Sequence, residues 1–258
     1  MSTVLKLGGE LLEDAAAVRA SAAAIVRLSK REPLVVVHGG GRSIDAELKM
    51  RGLTPRFADG LRITDSATLD SVVAVLAGRT NTALVATIGA LGAKAVGLTG
   101  ADARIGLAVK AAPLATVKGD QVDLGLVGEP RGGDVTLIAD LLGLGYLPVV
   151  ASVGVAADGT LLNVNADTFA AHLAASLKAR RLIVAGTTAG VLDGAGATID
   201  ELTAGDVEQL AASGTAHSGM LAKLTACRHA KKGGVGEVAI VAGRGVEDFD
   251  TAVGTRVF

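Results

Sequence analysis

Thr3-Val4-Leu5-Lys6-Leu7-Gly8-Gly9 and Leu34-Val35-Val36-Val37-His38-Gly39-Gly40-Gly41 decide the fold. Each is a short apolar, β-branched run ending in a glycine turn, and each precedes a segment of helical period. A strand that feeds a helix through a glycine turn, met twice in succession, is the repeating unit of a parallel sheet. In such a sheet both turns fall at the carboxyl edge, where open α/β folds bind ligands. Glycines there let backbone N–H groups approach phosphate oxygens, and the helix N-termini behind them favour negative charge.

The alternation continues along the chain. Strands are predicted at Val4–Leu7, Leu34–Val37, Ala95–Leu98, Pro148–Ser152, Leu182–Val184 and Val238–Val241. Helices are predicted over 13–29, 42–51, 65–76, 79–91, 134–143, 167–178, 206–212 and 219–232. Glu13 and Asp14 suit a helix N-terminus, and Asp167 falls where an N-cap or first-turn carboxylate would sit. Shorter two-strand ribbons are expected near Pro55–Leu61 and Lys110–Leu126, where alternation is brief and turn residues are frequent. The sequence therefore reads as α/β with a largely parallel sheet. No low-complexity linker or repeat interrupts it, so two lobes would pack closely, dividing within 173–180.

Composition removes several function classes. The 258 residues are half apolar with a formal net charge of −1, and no Lys/Arg run forms a stripe for nucleic acid. Apolar stretches such as Leu141–Val150 are broken by Gly and Pro, short of the roughly 20 residues a membrane span needs. The N-terminus carries no signal-peptide pattern, and the one cysteine, Cys227, cannot form an internal disulfide. The expectation is a cytoplasmic protein with neither nucleic-acid nor membrane partner. Cys227 lies among Lys, Arg and His, which could activate it, but no partner motif accompanies it and it reads as a structural thiol.

Walker A and G-x-G-x-x-G patterns are absent, so the two glycine turns need a different phosphate architecture. Lys6 at the end of the first strand is either a solvated lysine or a point charge beside transferring phosphate. Leu161-Leu162-Asn163-Val164-Asn165-Ala166-Asp167 is either a surface turn capped by Asp or a polar substrate site. In the second reading the asparagine amides hold substrate and Asp167 fixes lysine ammonium groups. Arg62, in Gly60-Leu61-Arg62, has a fork that suits a carboxylate. Ser218-Gly219-Met220-Leu221-Ala222-Lys223 opens a helix and places a second lysine one turn in. The four histidines show no metal-ligand spacing; His38 reads as structural, and no resident metal site is expected.

Taken in order, these segments, with Gly145-Tyr146-Leu147-Pro148-Val149-Val150 and Gly190-Val191-Leu192-Asp193, resemble the amino-acid kinase family, and within it the acetylglutamate kinases, over nearly the whole chain. The resemblance implies a three-layer αβα sandwich, with an acyl-amino-acid-binding and dimerisation lobe at 1–176 and an ATP-binding lobe at 177–258. It implies that ATP, with Mg²⁺, phosphorylates the γ-carboxylate of N-acetyl-L-glutamate, the second step of arginine biosynthesis. Lys6 and Lys223 would stabilise the transferring phosphoryl group and Asp167 would orient both. Gly8 and Gly9 would line the phosphate path with Gly40 and Gly41, the latter two also touching substrate. Arg62 would bind the α-carboxylate and Asn163 the acetylated part. Nucleotide contacts would come from Thr187, Thr188, Gly190, Leu192, Thr215 and His217. Where the family carries an acidic residue in the nucleotide loop, this chain reads Gly186-Thr187-Thr188-Ala189-Gly190. Arginine-inhibited members carry a helical extension before the first strand, and here that strand starts within a few residues of Met1. The implied assembly is a homodimer that arginine does not inhibit.

The chemistry agrees with the motifs that are missing. A γ-carboxylate with a pKa near ~4.3 is already ionised at neutral pH, so the reaction needs no general base. Two other readings remain at this stage: a related family member acting on another carboxylate, and a non-catalytic amino-acid or nucleotide sensor on the same fold. An NAD-dependent oxidoreductase is disfavoured by the absent dinucleotide fingerprint.

Overall fold

In the computed structural model, which describes residues 2–116, 119–212 and 218–258, the chain opens as the two quoted stretches require. β1 (Thr3–Leu7) leads to α1 (Ala15–Ser29), and β2 (Leu34–His38) to α2 (Gly41–Met50). The ribbon β3 (Phe57–Ala58) and β4 (Leu61–Arg62) precedes α3 (Ser66–Val73), α4 (Asn81–Ala90) and β5 (Ala95–Thr99). Short strands follow: β6 (Ala108–Lys110), β7 (Leu114–Ala115), β8 (Gln121–Val122) and β9 (Val127–Pro130). Next come α5 (Thr136–Gly143), β10 (Leu147–Ala151), β11 (Val153–Val155), β12 (Leu161–Val164) and α6 (Ala166–Ser176). The chain finishes with β13 (Arg181–Gly186), β14 (Glu201–Leu202), α7 (Ala204–Ala212), α8 (Ser218–Lys232), β15 (Glu237–Ala242) and β16 (Gly254–Val257).

The six strands read from the sequence are contiguous in one eight-stranded sheet, ordered β14-β16-β15-β13-β1-β2-β10-β5. They run parallel, while β16 lies antiparallel to β15 and β14 pairs parallel with β16. β1 is central and all five of its residues are buried. Its alternation assigns the two faces. Leu5 and Leu7 join Val36, Val149 and Ile183 beneath Ala22, Ile25 and Leu28 of α1 and Leu84 and Ile88 of α4. Val4 joins Val35, Val150, Leu182 and Ile240 against Phe169, Ala170 and Ala174 of α6 and Leu224 and Ala230 of α8. Lys6 shares the face of Val4, so its side chain is directed at the α6–α8 layer.

A smaller sheet, β11-β12-β9-β6, and the ribbon β3-β4 lie at the carboxyl side, and β7-β8 form a second ribbon. Of these only the ribbons and a strand at 161–164 show in the sequence; β9 and β11, like β14 and β16 of the large sheet, are two to four residues long, and their periodicity is too brief to read. The predicted helices 65–76 and 79–91 are one continuous run, joined by a π-helical turn at Ala74–Thr80. By length and composition this run, Ser66–Ala90, is the one described helix that could cross a membrane. Its Leu69, Val72, Val75, Leu76, Leu84 and Ile88 are buried, and Arg79 pairs with Glu47 at 2.7 Å.

The amino edge of the sheet is tied by charge. Arg181 pairs with Glu32 and Asp250, Arg180 meets Glu32 at 2.6 Å, and Arg31 meets Asp248 at 2.6 Å. The glycine turns lie at the other edge.

Candidate active site

Parallel register brings the two turns together. Lys6 stands beside Val37 and Val184, and Leu7 beside His38 and Ala185, so Gly8, Gly39 and Gly186 leave the sheet at one level. Gly8 N–H donates to the Ala185 carbonyl at 2.8 Å. A Cβ on Gly9 would lie 2.7 Å from Gly40 Cα and 3.0 Å from the backbone nitrogens of Gly40 and Gly41. The first turn therefore packs backbone to backbone on the second, and any side chain at Gly9 would force them apart. Neither the Gly40 nor the Gly41 N–H has an acceptor among the described residues. At the head of α2 such donors suit an anion.

Lys6 and Asp167 meet beneath these turns, Nζ to Oδ1 2.7 Å, with side chains 6% and 10% exposed. The ammonium approaches off the hydrogen-bonding direction: Oδ1 is buried and has a charge partner without an aligned donor. Lys223 comes from α8 on the same side. Its Nζ stands 3.7 Å from where a Gly186 Cβ would lie, and Glu10 Oε1 stands 3.4 Å from that same point. Two cations, two carboxylates and a set of free N–H groups thus surround the carboxyl ends of β1 and β13.

Arg62 is placed from β4 over the other side of the second turn. Its guanidinium meets Asp45 Oδ1 at 2.6 Å, donates to the Gly41 carbonyl at 3.2 Å and lies 4.7 Å from the Phe57 ring centroid. Asn163 Nδ2 donates to Thr64 Oγ1 at 3.0 Å, and that hydroxyl donates to the Arg62 carbonyl at 3.2 Å. With its amide nitrogen engaged there, the Asn163 oxygen is left as an acceptor for a substrate N–H.

The sequence missed Glu10, Asp45, Thr64 and Asn81. Glu10 could have been suspected as the acid directly after Gly8-Gly9, and Asp45 as the carboxylate one turn into α2. Thr64 and Asn81 carry no sequence signal of their own, since only tertiary contact gives them partners.

One expectation is corrected. The polar alternation does not persist through 163–167: the strand ends at Val164 and Asn165 is the N-cap of α6, its Oδ1 accepting from the N–H of Asp167 (2.9 Å) and Thr168 (3.1 Å). Asn165 is thus occupied by the helix, and Asp167 is a first-turn carboxylate. Cys227, read as a structural thiol, is fully buried, and burial first, then the Asp167 charge, pushes its thiol pKa far up. It is an inert core thiol.

In the nucleotide loop Thr187 and Thr188 are exposed beyond β13. Gly190 is buried at φ +102, and a Cβ there would meet Thr255 Oγ1 at 2.5 Å. The Val191 N–H donates to that hydroxyl at 2.7 Å, and Leu192 is 43% exposed. Thr215 and His217 lie outside the described residues. A cavity of about 720 Å³ is lined by residues such as Arg181, Glu237, Phe249 and Arg256. It shares no residue with the Lys6–Asp167 cluster, and size alone does not make it the site. No group of three or more His, Cys, Asp or Glu side chains among the described residues could hold a metal.

A profile of the amino acid kinase family matches residues 1–242. The acetylglutamate kinase of Bradyrhizobium sp. (strain BTAi1) is 42% identical over 247 residues, 93% of this chain and 83% of that protein. That of Rhodopseudomonas palustris (strain BisA53) is 43% identical over 248 residues with the same coverage. Among solved structures, the N-acetylglutamate synthase of Neisseria gonorrhoeae with coenzyme A and N-acetylglutamate superposes with a TM-score of 0.83 at 25% identity. It is matched by 99% of this chain, which spans 59% of the synthase chain's length. Carbamate kinase of Giardia lamblia bound to AMP-PNP, at TM-score 0.68 and 15% identity over 100% of this chain and 98% of that one, shares the fold. With the profile running from before β1 through β15, the chain belongs to the amino acid kinase family.

Proposed function

We propose that this chain is an acetylglutamate kinase: it transfers the γ-phosphoryl group of ATP to the γ-carboxylate of N-acetyl-L-glutamate, in arginine biosynthesis. The observation that carries this reading is the Lys6–Asp167 pair at 2.7 Å beneath two glycine turns, in a chain 42% identical to an acetylglutamate kinase. A carboxylate oxygen attacks the γ-phosphorus, the bond to the β,γ-bridging oxygen breaks, and acyl phosphate and ADP leave. Both reactants are anions, so the barrier is lowered by cancelling charge rather than by moving a proton. Lys6 and Lys223 supply that cancellation from two sides, and Asp167 holds the Lys6 ammonium in place. The Gly40 and Gly41 N–H groups take the remaining oxygens.

Mg²⁺ would arrive with ATP and shield its phosphates. Among the described residues there is no three-ligand cage, so phosphate oxygens would hold most of the ion, with Glu10 a carboxylate beside Gly186 and Lys223. Thr187, Thr188, Gly190 and Leu192 border the nucleotide in this reading, and Thr215 and His217 stay with it as sequence-based assignments. Residues 1–176 would bind the acyl amino acid and 177–258 the nucleotide. A cytoplasmic homodimer is the matching assembly, two-fold dimers being the commonest among soluble oligomers.

Hydroxylamine trapping tests the reading: with Mg-ATP, hydroxamate is expected from N-acetyl-L-glutamate and little from L-glutamate, aspartate or carbamate. No hydroxamate from acetylglutamate would refute it. Arg62→Lys is expected to raise the acetylglutamate KM by about tenfold with charge retained, because lysine cannot make two parallel bonds to a carboxylate. Steady-state kinetics decide, and an unchanged KM would remove Arg62 from the substrate.

A further inference from the structure

His38 is fully buried at the end of β2 and Asn81 is 5% exposed at the start of α4; neither touches the reacting groups assigned above. They form a chain of hydrogen bonds with one possible polarity. Asn81 Nδ2 lies 2.9 Å from the Val149 carbonyl, which can only accept, so the nitrogen end of the amide faces it. The same nitrogen lies 3.1 Å from His38 Nε2, so its second proton points at that ring nitrogen, which must present a lone pair. The proton of the neutral ring is then on Nδ1, 3.2 Å from the Gly39 carbonyl, and Nδ1–H donates to it. Burial pushes the His38 pKa down to about 4, with the Gly39 bond opposing it, so the imidazole is neutral.

The Gly39 carbonyl belongs to the peptide whose N–H is that of Gly40. In a planar trans peptide the two point in opposite directions. Holding the carbonyl toward His38 therefore turns the Gly40 N–H away from it, to the side where Gly9 and the phosphate path lie. Resting on the kinase reading above, we propose that His38 and Asn81 are positioning residues, which set the Gly39–Gly40 peptide so that the glycine N–H donors face the acyl acceptor and the transferring phosphoryl group.

Two replacements separate positioning from packing. Asparagine can put an amide N–H where Nδ1 stands; glutamine, nearer histidine in volume, reaches instead to the place of Nε2. His38→Asn is expected to keep the acetylglutamate KM within about threefold of the parent. His38→Gln is expected to raise it at least about tenfold. If His38 only fills space, the order reverses, and equal or better kcat/KM for His38→Gln overturns the proposal. Independently, ¹⁵N-histidine long-range correlation spectra of the unmodified protein at neutral pH, with His38 assigned by the signal missing in His38→Asn or His38→Ala, should show the Nδ1–H tautomer. An Nε2–H tautomer overturns the proposal even if both variants fold poorly. Should the parent make no acyl phosphate, the functional reading falls, while the tautomer still reports on the relay.

Discussion

Lys223→Ala is expected to lower kcat by about 10²-fold or more, with substrate KM values moving only a few-fold. A preorganised charge that acts where phosphoryl charge develops contributes to the transition state and little to ground-state binding. Among the described residues Lys223 belongs to no ion pair, so its removal strands no partner, and the melting temperature should stay close to that of the parent. Kinetics with each substrate varied, beside a thermal melt, measure both halves. A variant with near-parental kcat would place Lys223 outside the chemistry, however near Gly186 its ammonium stands.

For the buried pair the expectation differs in kind. Asp167→Asn leaves the Lys6 ammonium, 5% exposed as a residue, without its counter-charge, and should destabilise the fold by about 3–5 kcal/mol as well as abolish most activity. Lys6→Met strands the carboxylate instead and should behave alike. The double variant Lys6→Met with Asp167→Leu removes both charges and replaces them with apolar bulk, so its stability should return toward that of the parent while its activity does not. Denaturant unfolding and turnover, measured on all three, distinguish a charge pair kept for folding from one kept for chemistry. Recovery of activity in the double variant would refute the assigned roles.

Much of the molecule was legible because burial on both faces makes parallel strands continuous apolar runs. The six main strands and the helix between each pair follow from that, and so does the carboxyl-edge position of Gly8 and Gly40. Lys6 stood out because it ends a strand beside glycine turns suited to phosphate, and Asp167 meets it from a strand-to-helix junction that the sequence also marked. What the sequence withheld is set by contacts across long separations. β16 is defined by pairing with β15 and not by its own period. The π-helical turn at Ala74–Thr80 leaves the helical pattern almost unchanged. Asn165 and Asn163 look equivalent along the chain, yet one is spent on a helix end and the other faces the site, because Thr64 is where it is.

The central place of β1 has a consequence for how the protein is made. Its pairing with β2 becomes available once His38 has been synthesised, while its other edge must wait for Arg181–Gly186. At about 5–20 residues per second on the ribosome, the interval is roughly 7–30 s. During that time the strand carrying Lys6 has one open hydrogen-bonding edge on the nascent chain, a template for incorrect pairing until β13 arrives.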